Sequence, residues 1–171
     1  MSERTGVITM QGNPLTLSGD ELKVGGQAPD VELLGNELNP VKISDFQGKV
    51  VVISVVPSLD TPVCDLQTRR FNSEAAALGP EVAILTVSMD LPFAQARWCG
   101  AAGAEAVVTL SDHREAAFGQ AYGQLIKELR LLARAVYVLD RGQKITYIQQ
   151  VAELTQEPDY EAVLAAVKEA L

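Results

Sequence analysis

The segment that most constrains the fold is a run of β-branched residues in the first half of the chain. Lys49 to Val56 is almost entirely β-branched, and Pro57 follows it directly. Such a run is typical of a central strand that is buried on both faces of a sheet. Pro62 to Ala77 then has a helical pattern, and Glu81 to Met89 repeats the strand pattern. A strand, a helix and a second strand form a parallel crossover, so we expect an α/β fold.

The remaining patterns give the order of the elements. Further strands are predicted at Gly6–Met10, Pro14–Leu17, Val31–Leu34, Ala106–Leu110, Arg134–Leu139 and Lys144–Gln149, and further helices at Pro92–Cys99, from about Asp112, and at Tyr160–Leu171. Asp112 and Glu115 have the spacing of a capping box. The order predicts a thioredoxin-like fold, with a mixed central sheet, helices on both faces and an added N-terminal β-hairpin within residues 1–18. No segment has the composition of a linker, so residues 1–171 are expected to form one domain.

The composition disfavours several classes of partner. The 171 residues carry a formal net charge of −8, so neither nucleic acid nor an anionic membrane is an expected partner. No apolar run approaches the roughly 18 residues of a membrane span, and the first residues lack the pattern of a secretory signal. These features predict a cytoplasmic protein, in which structural disulfides are rare. The two cysteines are therefore expected to be reduced thiols or a redox pair.

Cys64 lies where α/β folds place their functional sites, just after a buried strand and at the start of a helix. Asp60 or Thr61 can cap that helix, and Pro62 suits its first position. Cys64 then falls in the first turn, where free backbone N–H groups and the positive end of the helix dipole favour the thiolate. The Thr61 hydroxyl can point at the same sulfur. The alternative is that Cys64 only packs, because it shares a helix face with Phe71.

Cys99 has a different predicted setting, at the end of a helix that stops before Gly100. The dipole is negative there, so the thiolate is less favoured. Cys64 is therefore suited to attack first and Cys99 to react in a later step. The alternative is that Cys99 is only a buried residue beside Trp98. The only histidine, His113, is expected at the surface, which leaves too few ligands for a zinc site and disfavours a Cys–His protease pair.

Activation of Cys64 requires a nearby cation, and three arginines are candidates. Arg69 and Arg70 follow Cys64 on the same predicted helix, where they can equally form a solvated face. Arg134 leads into an apolar strand, and an arginine in such a position usually has a specific partner.

The sequence around Cys64 resembles the peroxiredoxins, whose signature Pro-x-x-x-Thr-x-x-Cys is met by Pro57, Thr61 and Cys64. It is most similar to the thiol peroxidase subfamily, the atypical two-cysteine peroxiredoxins. That closer resemblance rests on segments 90–100, 121–123, 133–136 and 155–160, and it covers nearly the whole chain.

The resemblance implies a site and a reaction. Cys64 is then the peroxidatic cysteine and Cys99 the resolving one, Thr61 and Arg134 complete the peroxide pocket, and Pro57 shields the sulfur. The implied protein is a homodimer that reduces hydrogen peroxide and alkyl hydroperoxides. Its Cys64 forms a sulfenic acid, then an intramolecular disulfide with Cys99, which thioredoxin reduces. No metal or other cofactor is implied.

Two other functions are consistent with the same sequence. A thiol redox sensor that passes its disulfide to a partner protein uses the same residues, so the sequence does not separate it from a peroxidase. A thioredoxin-like binding module with inert thiols fits less well, because Pro57, Thr61 and Cys64 meet the whole motif.

Overall fold

The computed structural model describes residues 2–171, and within them the secondary-structure elements largely follow the expected order. The strands are β1 (Glu3–Met10), β2 (Asn13–Ser18), β3 (Glu32–Leu34), β4 (Pro40–Lys42), β5 (Val50–Val55), β6 (Val82–Ser88), β7 (Val108–Ser111), β8 (Leu125–Ile126), β9 (Leu131–Leu132), β10 (Ala135–Leu139) and β11 (Ile145–Gln150). The helices are α1 (Pro62–Leu78), α2 (Pro92–Ala102), α3 (Ala117–Ala121) and α4 (Tyr160–Ala170), with a turn of 3₁₀ helix at Ile43–Phe46. None of these helices is both long and apolar enough to cross a membrane.

The central sheet is mixed and has the spatial order β11-β10-β5-β6-β7-β3-β4. Strands β5, β6 and β7 are parallel, as the crossovers require. Strand β10 is antiparallel to β5 and forms a hairpin with β11. The predicted α/β, thioredoxin-like class is confirmed. The hairpin of β3 and β4 at the far edge was not predicted as a pair, because only its first strand has a recognisable apolar pattern.

Helices cover both faces of the central sheet, but unequally. Val50 and Val52 of β5 cluster with buried side chains of α1 and α4, and partly buried side chains of α2 join the same face. Val51 and Ile53 cluster on the opposite face with α3 and the 3₁₀ helix. This alternation follows from the two-residue period of a strand. It explains why β5 has to be apolar along its whole length.

The N-terminal hairpin of β1 and β2 belongs to a second, smaller sheet of order β1-β2-β8-β9. Two backbone hydrogen bonds join it to the loop after β11: Thr9 N–H donates to the Ala152 carbonyl at 2.7 Å, and Leu154 N–H donates to the Thr9 carbonyl at 2.8 Å. The strands β8 and β9 are two residues long each, too short for a sequence period to predict them.

The third helix begins later than its capping-box spacing predicts. The prediction of a start near Asp112 is wrong, because α3 begins at Ala117. The Asp112 carboxylate accepts hydrogen bonds from the N–H groups of Phe118 (3.0 Å) and Gly119 (2.8 Å). Asp112 thus provides hydrogen-bond acceptors for N–H groups of the first turn of α3, although it lies outside the helix. Burial of this carboxylate raises the pKa of Asp112.

Helix α2 is longer than expected. Gly100 does not end it, and the helix continues to Ala102. Gly103 then adopts the left-handed conformation with φ of 65°, and its N–H donates to the Cys99 carbonyl. A glycine in the left-handed conformation is a common helix end, whereas a glycine inside a helix is tolerated at some cost. Cys99 therefore lies inside the last turn of α2 and not at its terminus.

Candidate active site

Cys64 is fully buried in the first turn of α1, immediately above the end of β5. Pro62 occupies the first helical position, as predicted. The Cys64 side chain packs in a small apolar cluster with Val56, Leu59 and the partly buried Trp98. The Thr68 hydroxyl donates to the Cys64 carbonyl at 2.9 Å, which anchors the turn. The sulfur is therefore held in one place and shielded from bulk water.

The guanidinium of Arg134 contacts this sulfur. Its Nη2 atom donates to Cys64 Sγ at 3.3 Å, and the side chain is only 2 % exposed. Two further acceptors fix its orientation. Gln67 Oε1 accepts from Nη1 at 2.8 Å, and the Leu154 carbonyl accepts from Nε at 3.1 Å and from Nη2 at 3.0 Å. Arg134 is the one of the three candidate arginines that reaches Cys64.

The charge of Arg134 has no carboxylate partner. None of the ion pairs formed among residues 2–171 includes it, so no carboxylate oxygen lies within 4.0 Å of its guanidinium. A buried cation without a counter-ion is costly. The thiolate of Cys64 is the group in contact with Arg134 that can supply a negative charge. Arg134 is therefore placed to stabilise negative charge that develops at the Cys64 sulfur during a reaction.

An open, largely apolar pocket of about 190 Å³ leads to this buried pair. Its lining comprises Met10, Pro57, Thr61, Pro62, Val63, Leu129, Leu131, Arg134, Leu154 and Thr155. Pro57 is buried and Thr61 is exposed at the pocket wall. Pro57, Thr61, Cys64 and Arg134 are thus brought together.

Thr61 differs from its prediction in one respect. It occupies the N-cap position of α1, but neither its side chain nor that of Asp60 caps the helix. The Thr61 hydroxyl instead donates to the Ser58 carbonyl at 2.8 Å. With its hydrogen committed to Ser58, the Thr61 oxygen presents a lone pair to the pocket. The hydroxyl is therefore placed to accept a hydrogen bond in the pocket and does not donate one to the sulfur.

Cys99 lies apart from this cluster, on the next helix. Its side chain is half-buried, and its Sγ lies 3.6 Å from the hydroxyl of Thr109 in β7. That hydroxyl in turn donates to the Asn36 side chain at 2.8 Å. Both cysteines are free thiols. Cys99 is therefore directed towards the sheet, while its neighbour Trp98 packs beside Cys64.

Known proteins of similar sequence identify the family. A family model described as Redoxin matches residues 23–164. The thiol peroxidase of Halalkalibacterium halodurans is 58% identical over 164 residues, which are 96% of this chain and 98% of that protein. The thiol peroxidase of Oceanobacillus iheyensis is 60% identical over 158 residues, which are 92% of this chain and 96% of that protein. The chain belongs to the thiol peroxidases of the peroxiredoxin family.

Solved structures agree with this membership. A peroxiredoxin-like protein from Aquifex aeolicus has a TM-score of 0.91 and 42% identity, covering 98% of each chain. A thiol peroxidase from Chromobacterium violaceum has a TM-score of 0.84 at 20% identity over 95% of each chain, which is a likeness of fold. The family resemblance and the enzyme class predicted from the sequence motif are confirmed, and this chain is a thiol peroxidase.

Sequence reasoning missed the residues that hold Arg134 in this thiol peroxidase. Gln67 is fully buried on α1, and its amide also donates to the Ser54 hydroxyl of β5 at 2.8 Å. A signal was available, because a polar residue three positions after Cys64 lies on the same helix face as the cysteine. The Leu154 carbonyl had no signal, since any residue supplies the same backbone oxygen.

The other charged candidates serve elsewhere in the thiol peroxidase. Arg69 pairs with Asp65 at 2.9 Å, and Arg70 pairs with Glu74 at 3.0 Å, so neither reaches Cys64. His113, expected at the surface, is half-buried. Within residues 2–171, no group of three or more His, Cys, Asp or Glu side chains is arranged to hold a metal ion.

Proposed function

We propose that this thiol peroxidase reduces hydrogen peroxide and alkyl hydroperoxides with Cys64 as the peroxidatic and Cys99 as the resolving cysteine, in the manner of an atypical two-cysteine peroxiredoxin. One observation carries the proposal. The buried Sγ of Cys64 accepts a hydrogen bond from an Arg134 that has no carboxylate partner within residues 2–171 and that lines an open pocket. A positioned nucleophile and a positioned cation in one pocket are what cleavage of an O–O bond requires.

The reaction has two steps in the protein. The Cys64 thiolate attacks the terminal oxygen of the hydroperoxide, an S–O bond forms as the O–O bond breaks, and the alkoxide leaves and takes a proton from solvent. Arg134 stabilises the negative charge that moves from sulfur to oxygen, and the Thr61 oxygen accepts a hydrogen bond from the peroxide. The Cys99 thiol then attacks the Cys64 sulfenic acid, and a disulfide and a water molecule form.

The pocket wall supports alkyl hydroperoxides as substrates beside hydrogen peroxide. Met10 and Leu129 contribute apolar side chains that are 39% and 38% exposed, and Leu131 and Leu154 extend the same wall. An alkyl chain that covers such side chains gains about 25 cal/mol per Å² of apolar surface removed from water. Hydrogen peroxide gains nothing from this wall.

The reductant, the assembly and the location are part of the same proposal. The disulfide is reduced by thioredoxin, whose access fits a half-exposed Cys99 better than a buried Cys64. The protein acts in the cytoplasm, where two free thiols persist.

The protein forms a homodimer, which the exposed Leu91 and Phe93 at the start of α2 support. Sedimentation equilibrium of the wild type and of Phe93→Glu tests the dimer.

Peroxide consumption coupled to thioredoxin and its reductase tests the catalytic proposal. The wild type is expected to turn over many times, and Cys64→Ser not at all. If the wild type consumes a single equivalent and then stops although thioredoxin is supplied, it acts as a redox sensor and the proposed peroxidase cycle is wrong.

The substrate proposal has its own test in the pocket wall. Leu129→Gln is expected to lower kcat/KM for a long-chain alkyl hydroperoxide and to leave that for hydrogen peroxide unchanged. Leu38→Gln, at an apolar residue that is 49% exposed outside the pocket lining, is the matched control. Equal loss for both peroxides would show that Leu129 has no part in recognition.

A further inference from the structure

A hydrogen bond joins the helices that carry the two cysteines. Trp98 Nε1 on α2 donates to Asp65 Oδ1 on α1 at 2.8 Å. The second carboxylate oxygen accepts from Arg69 Nε at 2.9 Å, and the Arg69 guanidinium carbon lies 5.7 Å from the centre of the Trp98 ring. We call Asp65, Arg69 and Trp98 the α1–α2 latch.

The latch lies next to both cysteines in the sequence and beside Cys64 in space. Asp65 follows Cys64, and Trp98 precedes Cys99. The Trp98 ring packs against the apolar cluster that contains Cys64, whereas Cys99 Sγ is directed to Thr109. The side chain of α2 that packs against the cluster of Cys64 is therefore Trp98, and Cys99 Sγ is directed elsewhere.

The two cysteines are free thiols and Cys99 Sγ lies against the Thr109 hydroxyl, so a disulfide between them requires movement. It needs Cα atoms within about 7 Å and side chains that converge. Cys99 must turn towards Cys64, and Trp98 must leave the place it occupies. Because the Asp65–Trp98 hydrogen bond ties the first turn of α1 to the last turn but one of α2, this hydrogen bond has to break first.

We propose that the α1–α2 latch sets the rate at which Cys99 reaches the oxidised Cys64, so that Asp65 and Trp98 are positioning residues for the resolving step. The inference rests on the proposed function, in which a Cys64–Cys99 disulfide forms. A closed latch keeps Cys99 apart from Cys64, and its opening permits resolution.

The latch also decides the fate of the sulfenic acid. Condensation with Cys99 releases water and forms the disulfide. Attack of Cys64–SOH on a second hydroperoxide instead transfers one oxygen to sulfur, releases the alcohol and leaves a sulfinic acid, which is not reversed by thioredoxin. The slower the latch opens, the larger the fraction of Cys64 that is lost to the second reaction at a given peroxide concentration.

The test measures disulfide formation after a single equivalent of peroxide, by rapid quenching and peptide mapping. Trp98→Phe removes the donor and keeps a ring, and Asp65→Ala removes the acceptor. Both are expected to form the disulfide about tenfold faster, which corresponds to about 1.4 kcal/mol for a hydrogen bond to a charged, partly exposed group. Both should also yield less sulfinic acid at high peroxide. The initial attack on peroxide, measured in the same traces, should be unchanged.

Two further variants separate the hydrogen bond from charge and from helix stability. Asp65→Asn loses the charge but keeps an oxygen acceptor, so its rate should lie between those of the wild type and Asp65→Ala. Glu74→Gln removes a carboxylate of α1 that pairs with Arg70, away from α2, and should change nothing.

The outcomes distinguish the latch from the function on which it rests. A wild-type Cys64–Cys99 disulfide with unchanged rates in Trp98→Phe and Asp65→Ala overturns the latch alone. Acceleration in Glu74→Gln equal to that in Asp65→Ala also overturns it, because general loosening of α1 then explains the effect. Absence of the Cys64–Cys99 disulfide in the oxidised wild type overturns both the latch and the proposed resolving step.

Discussion

Cys64 and Cys99 lie on consecutive helices that pack on the same face of the sheet, yet their surroundings differ in kind. Cys64 is fully buried, and the Arg134 that contacts it is held by a helix side chain and by a loop carbonyl. Cys99 is half-buried, and its polar neighbour is a single hydroxyl at 3.6 Å. Charge stabilisation requires donors that are already in place, whereas disulfide formation requires movement. The tight and the loose surroundings suit the two steps.

The largest expected effect is on reduction of the first equivalent of peroxide, which requires Cys64 but not Cys99. Cys64→Ser should reduce none of it, because a serine hydroxyl is a far poorer nucleophile at neutral pH. Cys99→Ser should reduce one equivalent per subunit at the wild-type rate and then stop. Stopped-flow measurement of peroxide loss without reductant checks both. Near-normal reduction by Cys64→Ser would show that Cys64 is not the residue that attacks peroxide.

The next effect tests whether the tight site acts through its cation. Arg134→Met should slow the attack on peroxide by about a hundredfold, because one positioned donor to developing charge is worth ~3 kcal/mol. Rapid-mixing kinetics measures the rate, and circular dichroism checks that the variant is folded. An unchanged rate in a folded variant would make Arg134 a structural residue, and the peroxide pocket would have to be assigned elsewhere.

A smaller effect is expected from the glutamine that holds Arg134. Gln67→Leu removes the acceptor of Nη1, and the attack should slow by about tenfold, or ~1.4 kcal/mol for one buried hydrogen bond. Gln95→Leu is the matched control, since Gln95 is a buried glutamine of α2 that donates to Ser88 and to the Leu110 carbonyl. It should leave the attack rate unchanged. Equal slowing in both variants would mean that disturbed packing, and not loss of the Gln67–Arg134 hydrogen bond, slows the attack.

The smallest effect concerns the loop that supplies the Leu154 carbonyl. Glu153 in this loop accepts hydrogen bonds from the N–H groups of Thr155 and Gly12, which hold the pKa of its carboxyl well below its usual range. A carboxyl whose pKa is lowered by folding stabilises the fold above its ordinary value of 4.5, and this contribution is lost as the pH falls towards the folded value. Glu153→Gln should therefore lower the urea midpoint modestly at neutral pH, and the gap to wild type should narrow below about pH 4.5.

Urea unfolding from neutral to acidic pH measures that gap, and Glu157→Gln is the control. Glu157 accepts from the Tyr160 hydroxyl and has no contact with the N-terminal hairpin among its hydrogen bonds. A gap for Glu153→Gln that is the same at every pH would show that its carboxylate charge does not hold the loop.

The elements that were predicted correctly are those that depend on residues close together in the sequence. The β-branched run of β5, the proline at the first position of α1 and the apolar face of α4 each follow from patterns within a few residues. The late start of α3 was missed because its first N–H groups are satisfied by Asp112, which lies outside the helix. The two-residue strands β8 and β9 pair with each other, and β8 pairs with β2 from the N-terminal hairpin, a contact between distant parts of the sequence.

The sequence by itself determined the α/β order, the motif of Pro57, Thr61 and Cys64, and the unlike roles expected of the two cysteines. Only the tertiary structure decided which arginine meets the sulfur, since Cys64 and Arg134 are 70 residues apart. It also decided that Cys99 is directed towards Thr109 and that Trp98 packs against the cluster that contains Cys64. The reason is physical. A local pattern of residues determines a helix or strand, but a side-chain contact depends on how elements distant in the sequence pack together, and local sequence does not specify that packing.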